Sequence, residues 1–230
     1  VRLEFTKMNG LGNDFVVIED LEGSLDLAPE AVQWFCDRHF GIGADGLILV
    51  RRPTRPDADY YMHYFNADGS LAEMCGNGAR CFAKYVVDRG LVAPDAESLV
   101  IETLGGLRPV SVKRAADGSL ERATVDMGAP ELVPARMPAL FDGDAAIARE
   151  ISTPLGPVRL TAVSMGNPHA VIWVEDVDTA PVETLGPLVE CDDHFPNRTN
   201  VEFAEVVSPE RVRLRVWERG VGETLACGTG

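Results

Sequence analysis

Residues 73–90 read Glu73-Met74-Cys75-Gly76-Asn77-Gly78-Ala79-Arg80-Cys81-Phe82-Ala83-Lys84-Tyr85-Val86-Val87-Asp88-Arg89-Gly90, and the fold turns on how that stretch is buried. The spacing predicts a helix from Ala79 to Arg89, ended by Gly90 as a C-terminal cap. Apolar side chains at 79, 82, 83, 86 and 87 form a wide stripe, and Cys81 and Tyr85 carry it most of the way round. A helix apolar on most of its sides is a buried helix, so strands are expected to wrap it. Cys75 then lies at the N-terminal approach of a central helix.

The flanking sequence supplies the strands. Leu3 to Met8 alternates; Asn9-Gly10-Leu11-Gly12-Asn13 reads as a turn, and Phe15-Val16-Val17-Ile18 as a buried strand. Pro29 to His39 reads as a helix with proline in its first turn. Leu47 to Val50 and Tyr60 to Phe65 are strands, followed by a tight turn at Asn66-Ala67-Asp68-Gly69. Beyond Leu107, strands are expected at Val110 to Lys113, Ala123 to Met127, Val158 to Val163, Ala170 to Val174, Asn200 to Val207 and Val212 to Glu218. The stretch from Ala129 to Ile147, with three prolines, reads as connection. A domain boundary is expected near Asp117-Gly118, giving halves at 1–117 and 118–230.

The halves resemble each other in order. Gly12-Asn13 before Val16-Val17-Ile18 matches Gly166-Asn167 before Ala170-Val171-Ile172; His39-Phe40 matches His194-Phe195; and the Cys75-Gly76-Asn77-Gly78 turn matches Cys227-Gly228-Thr229-Gly230. The near-constant offset points to a duplicated domain. A cysteine before Gly-x-Gly at a helix start has a chemical use, because backbone N–H groups and the helix dipole stabilise a thiolate there. One such cysteine is more economically a small buried hydrophobe. Two of them in matching repeats suit stereoinversion, in which one thiolate removes an α-proton and a thiol on the opposite face returns one. Cys36, Cys81 and Cys191 have no such partner and are assigned to core or surface.

Composition sets the outer limits. The 230 residues are 46% hydrophobic and 25% charged, as in an ordinary globular protein. A net charge of -15 argues against nucleic acid or an anionic membrane as partner. No apolar run is long enough to span a bilayer, Val1 to Phe5 lacks the core of an export signal, and five cysteines without C-x-x-C spacing fit reduced thiols in the cytoplasm. Gly41-Ile42-Gly43-Ala44-Asp45-Gly46 fits G-x-G-x-x-G, but a helix precedes it and a strand follows, the reverse of a dinucleotide site. A metal centre from Cys75, Cys81, His63 and His169 lacks zinc-like spacing. A Cys75–His169 hydrolase leaves the second cysteine turn unexplained. Taken singly, His169, the asparagines at turns and strand ends, and Glu218-Arg219 would be unremarkable.

Together with their surroundings, these residues resemble the diaminopimelate epimerase family. The resemblance rests on Lys7 to Phe15, Phe65 to Ser70, Met74 to Cys81, Met165 to His169, Arg198 to Val201 and Trp217 to Gly230, in family order along the whole chain. It implies an α+β fold of two pseudo-symmetric domains, each a mostly antiparallel sheet around a central helix. It implies interconversion of LL- and meso-diaminopimelate without pyridoxal phosphate or metal, in a cytoplasmic homodimer on the route to lysine and peptidoglycan. Cys75 and Cys227 would be the base/acid pair. Asn13, Asn66, Asn167, Asn200, Glu218 and Arg219 would hold the substrate, Gly76-Asn77 and Gly228-Thr229 would offer N–H donors to the reacting carboxylate, and His169 and Glu218 would tune the thiols. Some members carry glutamine at the position of Gly46, a contact absent here. The family also continues into a helix after the second cysteine, so the second half reads as cut short at Gly230, and a polypeptide ending there is expected to be inactive. Other readings on the same residues are a related cofactor-independent racemase, a non-catalytic amino-acid-binding protein, and a thiol redox protein in which a Cys75–Cys227 disulfide forms.

Overall fold

In the computed structural model, residues 2–230 are described and the chain divides into two units, Val1–Met127 and Gly128–Gly230. The first unit is built on β1 (Thr6–Gly10), β2 (Asn13–Glu19), α1 (Pro29–Cys36), β3 (Gly46–Arg51), β4 (Tyr60–Asn66), α2 (Gly76–Asp88), β5 (Ser98–Thr103), β6 (Gly106–Arg114) and β7 (Leu120–Val125). Its seven strands form one sheet in sequential order. Only β2–β3 and β4–β5 pair in parallel, and each of these crossovers carries a helix.

That topology explains the two continuous apolar runs. Strands β2 and β3 are covered on both faces, so alternate residues go to different cores. Phe15, Val17, Ile48 and Val50 pack with Ala79, Phe82 and Val86 of α2. Val16, Ile18, Leu47 and Leu49 pack with Val32 and Cys36 on the side of α1. The expected central helix is α2, and it starts three residues earlier than its apolar stripe does, because Gly76, Asn77 and Gly78 are themselves buried. Gly90 takes φ +69° just past its end, as a C-terminal glycine should. Helix α1 stops at Cys36 instead of His39: the Asp37 carboxylate accepts from the N–H groups of His39 and Phe40 at 2.7 Å each and turns the chain away. Asp117-Gly118 lies in the β6–β7 hairpin, so the division between units falls ten residues later than expected, after the sheet's last strand.

The second unit comprises a 3₁₀ turn (Pro134–Arg136), β8 (Arg149–Thr153), β9 (Gly156–Ser164), β10 (Pro168–Trp173), α3 (Val182–Glu190), β11 (Asn200–Ser208), β12 (Arg211–Glu218) and β13 (Gly222–Thr224). Its sheet runs β13-β12-β11-β10-β9-β8, and β10–β11 is its parallel pair, joined through α3. Ala170, Ile172, Val201 and Phe203 face the core shared with Val182, Leu185 and Val189 of α3. The opposite face holds a groove of about 350 Å³ lined by Val163, His169, Val171, Trp173, Glu202 and Leu214 among others. The duplication is therefore structural: β2-α1-β3 and β10-α3-β11 are equivalent, with Phe15 against Gly46 in one register and His169 against Asn200 in the other.

Sequence pattern alone does not indicate β5, β8, β13 or α3. Helix α3 carries Gly186-Pro187 in its middle, a pair that ordinarily breaks helices. Here the glycine is needed, since a Cβ on it would lie 2.7 Å from Trp217 Cγ. The connection from Ala129 to Ile147 holds only the 3₁₀ turn and one bridge, Glu131 to Ser164, while Met137, Ala139 and Ala146 fill the second core. No helix among the described residues is long and apolar enough to cross a membrane.

Candidate functional site

Cys75 is the N-cap of α2 itself, with extended backbone, and the Gly78 N–H donates to its sulfur at 3.4 Å. A sulfur at that position meets the positive end of the helix dipole and an amide hydrogen, both of which favour the thiolate. The approach is close because of glycine: a Cβ on Gly78 would sit 3.3 Å from Ile48 and 3.5 Å from Phe15. Asn77 is buried beside it, its side-chain oxygen accepting from Arg80 at 2.5 Å. The β1–β2 hairpin leans on the same first turn, with Gly10 close to the Asn77 carbonyl and to Cys81. That brings Asn13 to this end of α2. The Asn13 Oδ1 atom is buried without a hydrogen-bond partner, an acceptor open to a ligand donor.

Asp14, which sequence reasoning passed over, pins this hairpin. It accepts from Asn9 at 2.6 Å and from Arg38 at 3.1 Å, while its own N–H donates to Asp45. The Asn9 hydrogen bond, followed by Arg38 and Lys7, holds its carboxyl below the usual aspartate range despite partial burial. Asn66 ends β4 opposite Gly46 and donates to Ser70 at 3.0 Å. Gly46 has no room for a side chain: a Cβ there would meet the Tyr64 ring at 2.5 Å and the Phe65 carbonyl at 2.7 Å.

In the second unit, Cys227, Thr229, Asn167, His169 and Glu202 form one connected group. Thr229 Oγ1 lies 3.3 Å from the Cys227 sulfur and accepts from Asn167 Nδ2 at 3.1 Å. Asn167 Oδ1 is 2.9 Å from His169 Nε2, and His169 Nδ1 is 2.6 Å from Glu202 Oε1. Burial pushes the Cys227 thiol up to about 11, with the Glu218 and Glu202 charges adding to it and Thr229 opposing. Glu218 itself accepts from Thr224 at 2.5 Å. Asn200 Oδ1 accepts from the Arg219 N–H at 2.9 Å and its Nδ2 donates to the Pro168 carbonyl, so it ties the β10 entry to the Arg219 turn. Glu190 at the end of α3 completes that turn by accepting from Gly220 N–H and Trp217 Nε1. Gly76 is buried at the start of α2; Gly228 is half-exposed beside Cys227.

Sequence reasoning missed Glu190 and Glu202 as well as Asp14. Both glutamates carry a signal only after folding, as carboxylates that are 5% and 1% exposed. The remaining cysteines are free: Cys36 and Cys81 are buried, their thiols pushed up to about 11 mainly by burial, and Cys191 is exposed. Neither Cys75 nor Cys227 is in a disulfide. No cluster of three metal-ligating side chains exists among the described residues, and His63 is instead stacked on Phe65 and bonded to Arg51. Both ring nitrogens of His169 are occupied by Asn167 and Glu202, which leaves it no nitrogen with which to activate a hydrolase nucleophile.

Known proteins align with this arrangement. The diaminopimelate epimerase family matches residues 5–133 and 161–230. A diaminopimelate epimerase of Aromatoleum aromaticum is 52% identical over 228 residues, covering 99% of this chain and 79% of that protein. Counterparts from Alkalilimnicola ehrlichii and Pseudomonas aeruginosa are 50% and 48% identical, each covered to 80%. Among solved structures, a probable proline racemase from Agrobacterium radiobacter K84 superposes with a TM-score of 0.73 at 16% identity, over 100% of this chain and 74% of that one. A hydroxyproline epimerase from Agrobacterium vitis gives 0.70 at 16% identity, over 98% and 73%. These two share the fold.

Proposed function

The chain belongs to the diaminopimelate epimerase family, and from that premise we propose that it interconverts LL- and meso-diaminopimelate by proton transfer at the α-carbon, with Cys75 and Cys227 as the two acid/base groups. The observation that carries the reading is family identity of about half over nearly the whole chain, joined to a glycine-flanked cysteine at the same place in each repeat. The reaction is a step on the route to lysine and peptidoglycan.

Inversion needs a base on one face of the α-carbon and an acid on the other. Cys75, with an amide hydrogen and a helix N-terminus at its sulfur, suits the thiolate. Cys227, whose thiol is pushed up to about 11, suits the proton donor. The thiolate takes the α-proton and becomes a thiol; the carbanion takes a proton from the second thiol, which becomes the thiolate. Exchange with solvent, one proton lost at Cys75 and one gained at Cys227, restores the starting state, so no net acid and no oxidant is consumed. Each positioned group contributes about 10²–10⁴-fold, and N–H donors at Gly76-Asn77 and Gly228-Thr229 would hold the carboxylate on which charge develops. Asn13, Asn66, Asn167, Asn200, Glu218 and Arg219 would hold the rest of the substrate, with Arg219 suited to the distal carboxylate by its paired donors and Glu218 to the ammonium. Family likeness further favours a cytoplasmic homodimer, checkable by light scattering.

The deciding experiment incubates reduced protein with LL-diaminopimelate in D₂O and follows the α-position by NMR. The proposal expects deuterium uptake with appearance of the meso isomer, and loss of meso formation in Cys75→Ala and in Cys227→Ala. Meso formation that survives either substitution would remove that cysteine from the mechanism, and uptake only from a different amino acid would reassign the substrate.

A further inference from the structure

The Gly41-Ile42-Gly43-Ala44-Asp45-Gly46 run is framed as the reverse of a dinucleotide loop, and the fold gives it a different task. Past α1 it doubles back along the helix end. Ile42 and Gly43 donate to the Phe35 carbonyl at 2.9 and 3.1 Å, and Ala44 donates to the Cys36 carbonyl at 3.0 Å. The glycines permit that path, since a Cβ on Gly41 would collide with the Trp34 carbonyl and Gly43 takes φ +78° against the Arg38 backbone. What the run delivers is Asp45. Its N–H donates to the Asp14 carbonyl at 2.9 Å, and its carboxylate accepts from the Asp14 N–H at 2.7 Å. Arg38 closes the link, donating through one nitrogen to Asp14 at 3.1 Å and through another to Asp45 at 2.7 Å. From β1, Asn9 and Lys7 reach the same Asp14 carboxylate at 2.6 and 3.6 Å.

This strap fastens a hairpin whose own turn is unfavourable. Leu11 and Gly12 form the turn between the paired Gly10 and Asn13, at φ +58° and +88°. A two-residue turn with both φ positive favours asparagine, aspartate or glycine at its first place, and leucine is strained there. Ion pairs as open to water as that of Arg38, whose side chain is 52% exposed, add little to global stability. Their effect is local, and the residue beside Asp14 is Asn13, whose Oδ1 is buried with no hydrogen-bond partner.

The second repeat shows that the β-α-β unit is built without a strap. By parallel register, Asp14 and Asp45 correspond to Pro168 and Thr199, one with no N–H and the other with no carboxylate. There Asn167, the counterpart of Asn13, is held directly: its carboxamide lies 3.1 Å from Thr229 Oγ1 and 2.9 Å from His169 Nε2. The strap therefore accompanies the asparagine whose acceptor is left open. A carboxamide oxygen only accepts, and diaminopimelate carries N–H hydrogens only on its ammonium groups. We propose that Arg38 and Asp45 are positioning residues for Asn13: by clamping Asp14 they fix the β1–β2 hairpin so that Asn13 Oδ1 stands where a substrate ammonium donates to it.

This role rests on the proposed function for its ligand, and two readouts separate them. The first uses no substrate. In Arg38→Ala and in Asp45→Ala, the amides of Gly12 and Asp14 should exchange with solvent at least about tenfold faster, while α2 amides and the urea midpoint change little. The second is steady-state turnover of LL-diaminopimelate. Each variant should raise KM about tenfold with kcat little changed, because ground state and transition state lose the same contact. In an Asn13→Ala background, which lacks the acceptor, neither should raise KM further. Asp45→Ala keeps the test usable if Arg38→Ala fails to fold. Unchanged exchange in both variants, an unchanged KM in both, a loss in kcat alone, or KM effects that multiply with Asn13→Ala would each overturn the proposal. An unaltered protein that binds diaminopimelate by calorimetry but does not turn it over would fail the proposed function, and the same comparisons would then be read as Kd. An unaltered protein that binds no diaminopimelate would overturn both.

Discussion

Cys36, Cys81 and Cys227 each have a thiol pushed up to about 11 from an ordinary 9.0, mainly by burial. Between those values the unfolded chain has released these protons and the folded one has kept them, so the folded state binds more protons and stability falls as pH rises. Urea midpoints at about pH 8 and about pH 10.5 should show that fall, and Cys81→Ala should shrink the difference between them. An unchanged pH difference in that variant would show that Cys81 does not contribute. Glu218 raises the Cys227 thiol by its charge, second to burial, so Glu218→Gln should speed Cys227 alkylation at neutral pH. At this scale the sequence was informative about type and silent about orientation. Cys75 and Cys227 could be read from their glycines. Glu202 could not: in Val201-Glu202-Phe203 it alternates like a solvent-facing residue, and only the parallel register with β10 puts His169 within its reach.

Among the elements, α3 and β12 illustrate why pattern failed. A helix with glycine and proline at its centre is poor on propensity, and tertiary packing decides it. Trp217 of β12 lies across Gly186 and bonds through Nε1 to Glu190 at 2.7 Å. Gly186→Ala would ordinarily gain a helix about 1 kcal/mol. Here the added carbon strikes the indole, and overpacking of that kind costs about 1–3 kcal/mol, so the net effect should be a lower denaturant midpoint. A raised midpoint would mean that the ring moves aside freely. Gly46→Ala should be destabilising for the same reason, with the Tyr64 ring and the Phe65 carbonyl as the obstacles. Strands β2 and β3, by contrast, were plain in the sequence, because burial on both faces writes an unbroken apolar run and leaves nothing for context to override.

At the scale of the whole molecule, each unit carries its own core and its own sheet. Native-state hydrogen exchange should accordingly show two cooperative blocks, with amides of β3 and α2 opening together and those of β10 and β11 opening at a separate denaturant concentration. One common opening for all four would show that the halves unfold as a single unit. The order of the duplication was legible from three short matches, whereas the boundary between halves was not: Asp117-Gly118 has the composition of a linker and the position of a hairpin turn.

Among the described residues, the seven-stranded sheet of the first unit is built from strands that all lie within Val1–Met127. Synthesis at about 5–20 residues per second leaves on the order of 5–20 s between completion of that segment and arrival of Gly230, longer than a domain of this size needs to fold. Cys75 can therefore be seated on its helix while Cys227 is still being made. The two glycine-flanked cysteine turns thus emerge one at a time, in an order set by sequence alone.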